Sequence, residues 1–233
     1  FVSSLPKRKI TTLLDNVQRK IANACLVQFG PGQTECQVKG SREHALKIFY
    51  IYRPEGQRER IAVKIEFETL RAGSVPDFKS HIIRELPSVA GLIANGDLIL
   101  PYTSSIILTE IPQEILSDKI RALYERQYIK GRDVYDIWWI VNQLKTPPNW
   151  TNTQKKLSMY KTAFVPARGP DYFQDKASDS EIVDSLEADL PRFLPGRILA
   201  EYRRNKYQYL IQTVKQVTAN LLKEGLRDYL NNV

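Results

Sequence analysis

Cysteine and histidine are almost absent from this 233-residue chain, which has two of each. Two cysteines, Cys25 and Cys36, are too few for a disulfide framework, and two histidines leave no Cys/His cluster at metal-ligand spacing, so a zinc module is excluded. The expected setting is reducing and cytoplasmic. Long apolar runs are missing as well: "IWWIV" and "LIL" fall far short of the roughly 18 to 20 residues that span a bilayer, and no signal-peptide pattern opens the chain. No membrane partner is expected. Also missing are the G-x-x-x-x-G-K-[ST] loop, G-x-G-x-x-G, the G-x-S-x-G elbow and H-E-x-x-H, which argues against P-loop, Rossmann, hydrolase and zincin chemistry. The chain opens on "FVSSLPKRKI" without an initiator methionine, and the expectation is that something precedes Phe1 in the gene.

Apolar residues are plentiful, at 42%, enough for a sizeable core without staples. The formal net charge is +8, a balance suited to a polyanionic partner because bound cations release counterions from phosphates. The excess is uneven. From Arg192 to Val233, eight Lys or Arg (Arg192, Arg197, Arg203, Arg204, Lys206, Lys215, Lys223, Arg227) face three acids (Glu201, Glu224, Asp228), a local +5. Charge alone supports a nucleic-acid surface and a solvated helix face equally.

Ile10, Leu13, Leu14, Val17 and Ile21 follow the rhythm of an amphipathic helix over 9–21. Three β-like runs come next, "ACLVQFG", "HALKIFYIY" and "RIAVKIEFE". The last two flank the polar loop "RPEGQRER" and read as an antiparallel hairpin. In the third run Ile61, Val63, Ile65 and Phe67 alternate with Ala62, Lys64, Glu66 and Glu68, which assigns the first set to the core and Lys64 with Glu66 to the other face. From "RAGSVPDFKSH" to "NGDLILPYTSS" the pattern is loop-rich with a weak strand at "DLILP". "IILTEI" is extended, and Pro112 opens a helix over "PQEILSDKIRALYERQYI" that Gly131 closes. A second helix starts with "RDVYDIWWIV" and ends near "NQLKTPPN". Three more helices are expected at "TNTQKKLSMYKTAF", at "SDSEIVDSLEADL" with a Ser178/Glu181 capping box, and at the long "NKYQYLIQTVKQVTANLLKEGLRDYLNNV". The fold class is therefore α+β, with an α+β part over 1–112 and a helical domain over 113–233.

Two charged constellations stand out. Asp133 near a helix start can serve the dipole and cap backbone N–H groups. Asp136 lies one turn on, on the same face and beside Ile137, Trp138, Ile140 and Val141, so it needs a basic partner. The preceding helix offers Asp118, Lys119, Arg121 and Arg126, and the bland reading is a salt-bridge network between two packed helices. Lys64 and Glu66 form either an exposed pair on a strand face or a phosphate-binding lysine beside a metal-binding carboxylate.

Taken together, "VKIEF" (63–67), "EILSDKIRALYER" (114–126) and "RDVYDIWWIV" (132–141) resemble the AbiEii/AbiGii-type nucleotidyltransferase toxin family of abortive-infection and toxin–antitoxin systems. The resemblance implies a DNA polymerase β-type core, a mixed sheet flanked by helices and followed by a helical domain. It also implies Mg²⁺ as cofactor, an NTP as donor, an RNA end as acceptor, with tRNA a candidate, and a cognate antitoxin. By motif position, Glu66 is the expected metal-binding and catalytic carboxylate, with Lys119 and Asp136 catalytic and Lys64, Arg132 and Asp133 at the nucleotide; Asp118 is a looser match. Nothing in the chain matches the family's glycine turn and D-x-D pair. The expectation is either that this motif lies ahead of Phe1 or that the chain is a degenerate member acting as an RNA- or protein-binding module. A third possibility is transfer to a protein hydroxyl.

Overall fold

The computed structural model describes residues 2–3, 5, 7–39, 43–56, 58–98 and 105–233, with backbone alone for 2, 7 and 8. The chain is mixed α+β and forms two compact units. The first holds Phe1–Val75, Lys79–Thr109 and Met159–Thr162; the second holds Pro76–Phe78, Glu110–Ser158 and Ala163–Val233.

In the first unit β1 (Val2–Ser3), β2 (Gly32–Val38), β3 (Ala45–Pro54) and β4 (Ile61–Thr69) make a mixed sheet in the order β1-β4-β3-β2. β1 runs parallel to β4; the other pairings are antiparallel, so the expected β3/β4 hairpin is present. Helix α1 (Lys7–Phe29) covers one face. Ile10 and Leu14 bury against Leu46, Ile48 and Tyr50 of β3 and Ile65 of β4, and the Tyr50 hydroxyl donates to the Leu14 carbonyl at 3.2 Å.

"ACLVQFG" is not a strand. Residues 24–29 are the last turns of α1, because Cys25 extends the inward stripe of buried Ile10 and Leu14 and half-buried Val17 and Ile21 at helical spacing. Gly30, at φ 78°, ends the helix, its N–H donating to Leu26 O at 3.0 Å. The third strand is instead the polar "GQTECQV" of β2, an outer strand with too few apolar residues to announce itself; seven pairings to β3 hold it. Val63, expected in the core, is 40% exposed, since α1 leaves a shallow groove there lined by Ile21, Ala22, Cys25 and Tyr50.

The stretch read as loop contains β5 (Phe78–Ile82), a 3-10 turn and α2 (Pro87–Ala94); β5 and β6 (Ile106–Glu110) form a two-stranded sheet. Asp97 and Leu98 belong to no strand, and the rest of "DLILP" lies outside the described residues.

The second unit is helical: α3 (Pro112–Glu125), α4 (Gly131–Asn142), α5 (Trp150–Met159), α6 (Ala177–Asp189), α7 (Gly196–Arg204), α8 (Gln208–Leu221) and α9 (Arg227–Asn231). Its core joins Leu116, Ile120 and Tyr124 of α3 to Ile137 of α4, Leu186 of α6 and Leu210 and Val214 of α8. Pro112 sits in the first turn of α3 as expected. Gly131 does not close α3, which ends at Glu125; it opens α4. An added methyl there would collide with the Ser185 carbonyl and lie 2.6 Å from Leu186 Cα, so the glycine lets α4 approach α6.

No capping box forms at Ser178. It lies buried inside α6 and donates to the Asp175 carbonyl at 2.7 Å, while Glu181 takes Arg168 at 2.9 Å. The long C-terminal helix is broken: a π-type turn over Leu222–Leu226, with Gly225 at φ 141°, separates α8 from α9. α7 was not expected as a separate helix, although Leu199 and Tyr202, three apart, mark its inward side. No helix among the described residues is long and apolar enough to cross a membrane.

Candidate functional site

The candidate residues fall in both units, and each group has its own local geometry. In the first unit, Lys64 and Glu66 share the β4 face opposite α1 and are open to solvent, with side chains 40% and 55% exposed. Glu66 meets Lys64 Nζ at 2.8 Å and, through the register that sets Lys47 opposite it, Lys47 Nζ at 3.5 Å. Partial burial works against ionisation of Glu66, but hydrogen bonds and charge from Lys64 and Lys47 outweigh it and hold its carboxyl below the usual range. Lys47 was not foreseen. Only the hairpin register could have revealed it.

In the second unit, α3 and α4 are clasped by charge. The Asp133 carboxylate, almost wholly buried, accepts from Lys119 Nζ at 2.8 Å on one oxygen and from Arg126 on the other. Lys119 also reaches Asp136 at 2.5 Å. Of the three basic candidates, Lys119 on α3 and Arg126 just after it therefore do bind the aspartates, while Arg121 turns to Glu125 in its own helix at 3.0 Å. Arg132 is exposed, and its backbone N–H reaches Asp189 Oδ2 at 3.5 Å.

Beside this clasp lies a cluster missed at the sequence level. Lys156 on α5 is completely buried and paired with Glu110 at 2.8 Å, Glu114 at 2.9 Å and Asp118 at 3.1 Å. Glu114 also accepts the Asp77 backbone N–H at 3.2 Å. Burial disfavours the Lys156 ammonium, yet the three carboxylates overcome it and raise its pKa. Burial likewise works to raise Glu114, and Lys156 outweighs it and lowers its pKa. A signal existed in Glu114 and Asp118, four apart and so on one face of α3, whereas Glu110, at the end of β6, joins them only through the fold.

Whether these carboxylates suit a divalent ion is a question of donor sets. Among the described residues no group of three or more His, Cys, Asp or Glu could hold a metal. Glu110, Glu114 and Asp118 already enclose an ammonium, and Glu66 is a single carboxylate tied to two lysines. This donor set does not fit the two-ion centre that nucleotidyl transfer uses.

The model of the nucleotidyl transferase AbiEii toxin family, a type IV toxin–antitoxin system, matches residues 3–217. The chain belongs to the AbiEii family. That membership makes it a toxin–antitoxin nucleotidyltransferase by family. Among solved structures, a crystal structure of a candidate nucleotidyltransferase from H. pylori is similar over 81% of this chain and 67% of that chain, at 12% identity and a TM-score of 0.38. At that TM-score the likeness carries no weight. No curated protein matches the sequence. In this AbiEii member the motif stretch 114–141 builds the Lys119–Asp133–Asp136 clasp, and the stretch 63–67 carries Lys64 and Glu66 on an open sheet face.

Proposed function

We propose that the protein transfers a nucleoside monophosphate from an NTP to an RNA end, with tRNA as the acceptor class. A terminal RNA hydroxyl gives up its proton to solvent as its oxygen bonds to the α-phosphorus, the bond from the α-phosphorus to the oxygen bridging to the β-phosphorus breaks, and pyrophosphate leaves with that oxygen. The family match over residues 3–217 carries this reading; the +8 net charge supports RNA as acceptor.

Mg²⁺ is the ion the resemblance calls for, but the side chains present do not make its site, so the proposed roles belong to the chain's own groups. Lys64 and Lys119 are the alternative cations for the triphosphate. Asp133 and Asp136 hold Lys119 in place, Glu66 holds Lys64, and Arg132 is free to move toward a phosphate from an exposed first turn. A cognate antitoxin is proposed as the protein partner.

Incubation with α-labelled NTP and total tRNA tests the reading. Label in RNA is expected, and Glu66→Gln is expected to abolish it while the fold persists; unaltered turnover in that variant overturns the assignment of Glu66. Label in protein selects a protein hydroxyl as acceptor. The donor set favours one alternative, a module of the same fold that binds RNA or protein without turnover. A stoichiometric RNA complex with no NTP consumption would decide for it.

A further inference from the structure

The basic side chains of the second unit divide sharply into those with acidic partners and those without. Arg203 is held by Glu187 at 2.5 Å, Lys215 by Asp179 at 2.7 Å and Arg227 by Asp171 at 2.6 Å. These are braces between helices or between a helix and a loop. Among the described residues no acid pairs with Arg192, Arg197, Arg204 or Lys206, all four of which are exposed.

The four cluster on α7 and its two flanks. The inward side of α7 is accounted for by Leu199, which is buried, by Tyr202, which packs edge-on against Tyr135 and Trp138 of α4 at 6.1 and 5.8 Å, and by the Arg203 brace. Arg197 and Arg204 are seven residues apart, two turns, and so share the outward side. From Arg192 to Lys206 there are five cations and one acid, Glu201. Favourable interaction with the helix dipole explains Arg203 and Arg204 in the last turn, but not Arg192 or Arg197, which lie at the opposite end. Phe193 and Tyr209 flank the same helix at 60% and 63% exposure, an arrangement of large apolar rings that a merely solvated basic face does not need.

We propose that α7 with its flanks is the surface that docks the RNA acceptor, Arg192, Arg197, Arg204 and Lys206 on the phosphates and Phe193 and Tyr209 under unstacked bases of a single-stranded end. The proposal rests on the RNA-acceptor reading above and deepens it. Guanidinium groups without carboxylate partners suit phosphate oxygens bidentately. Exposed rings beside a cationic track are what a single strand uses, since every base has a face to stack.

The test is fluorescence anisotropy of the full chain with a labelled single-stranded oligoribonucleotide of about 12 nucleotides, titrated at several KCl concentrations. Arg197→Glu with Arg204→Glu is expected to weaken binding about tenfold or more and to lower the magnitude of the log–log salt slope by about 1.4, two contacts' worth. A charge-matched control, Lys176→Glu with Lys223→Glu, is expected to stay within about twofold of wild type. The neutral pair Arg197→Gln, Arg204→Gln repeats the test without introducing acids. Equal loss in the control overturns the proposal, as does an unchanged slope in the arginine variants. Displacement of the RNA by polyglutamate at matched charge would assign the surface to an acidic protein instead. If wild type labels RNA and the arginine variants do so equally well, the surface is wrong and the acceptor reading stands. Absence of salt-dependent RNA binding by wild type overturns both.

Discussion

Lys156 illustrates how a single side chain can depend on three others. A buried ammonium costs several kcal/mol to desolvate, and Glu110, Glu114 and Asp118 offset that cost. Removing the cation leaves the carboxylates buried without it, so Lys156→Met is expected to lose about 3–5 kcal/mol in urea unfolding. Adding Glu114→Gln should recover part of the loss; strictly additive losses would show that the cluster is not coupled. The cluster also sets a pH window. Glu114 has a lowered folded pKa, so its contribution is present above its unfolded value, 4.5, and fades as pH falls through the folded one. Lys156 has a raised folded pKa, so its contribution is full below 10.5 and is lost as pH rises through the folded value. Urea midpoints measured across pH should therefore show a plateau between the two limbs, and Lys156→Met should flatten the alkaline one.

Asp133 and Asp136 separate at the same scale. Asp133→Asn breaks a buried clasp with two cations and is expected to cost about 3–5 kcal/mol, whereas Asp136→Asn, at a side chain 42% exposed, should cost about 0–1 kcal/mol. Comparable urea midpoints for the two variants would refute the distinction. The spacing of the two aspartates was legible from the sequence. Which one is buried was not, because periodicity gives a face but not what packs on it.

At the scale of elements, strong alternation and firm boundaries were readable. The β3/β4 hairpin, α3 from Pro112 and α4 all follow from the residue pattern. Elements whose evidence lies elsewhere in the chain were not: β2 exists through its pairing to β3, and residues 24–29 are helical because Cys25 continues an inward stripe despite β-favouring neighbours. Gly131 has the same lesson. It looked like a stop signal but serves the approach of α4 to α6, so Gly131→Ala is expected to cost about 1–3 kcal/mol through overpacking. A thermal shift near zero for that variant would mean that α6 can retreat from α4.

For the whole molecule, charge is the property that connects composition with the proposed RNA acceptor. The net +8 was visible at once, but a count cannot say which cations are already committed. Folding assigns Arg203, Lys215 and Arg227 to bracing and leaves Arg192, Arg197, Arg204 and Lys206 outward. What the sequence alone determined is the part that depends on neighbours along the chain: the amphipathic rhythm of the helices, the alternation of the hairpin, the charge excess and the motif stretches that carry the family resemblance. The tertiary structure decided the rest, namely the partners of Lys156, the burial of Asp133, the third strand of the mixed sheet and the outward face of α7. Each of these depends on groups far apart in sequence, where burial and Coulomb energy act through space and leave little local trace.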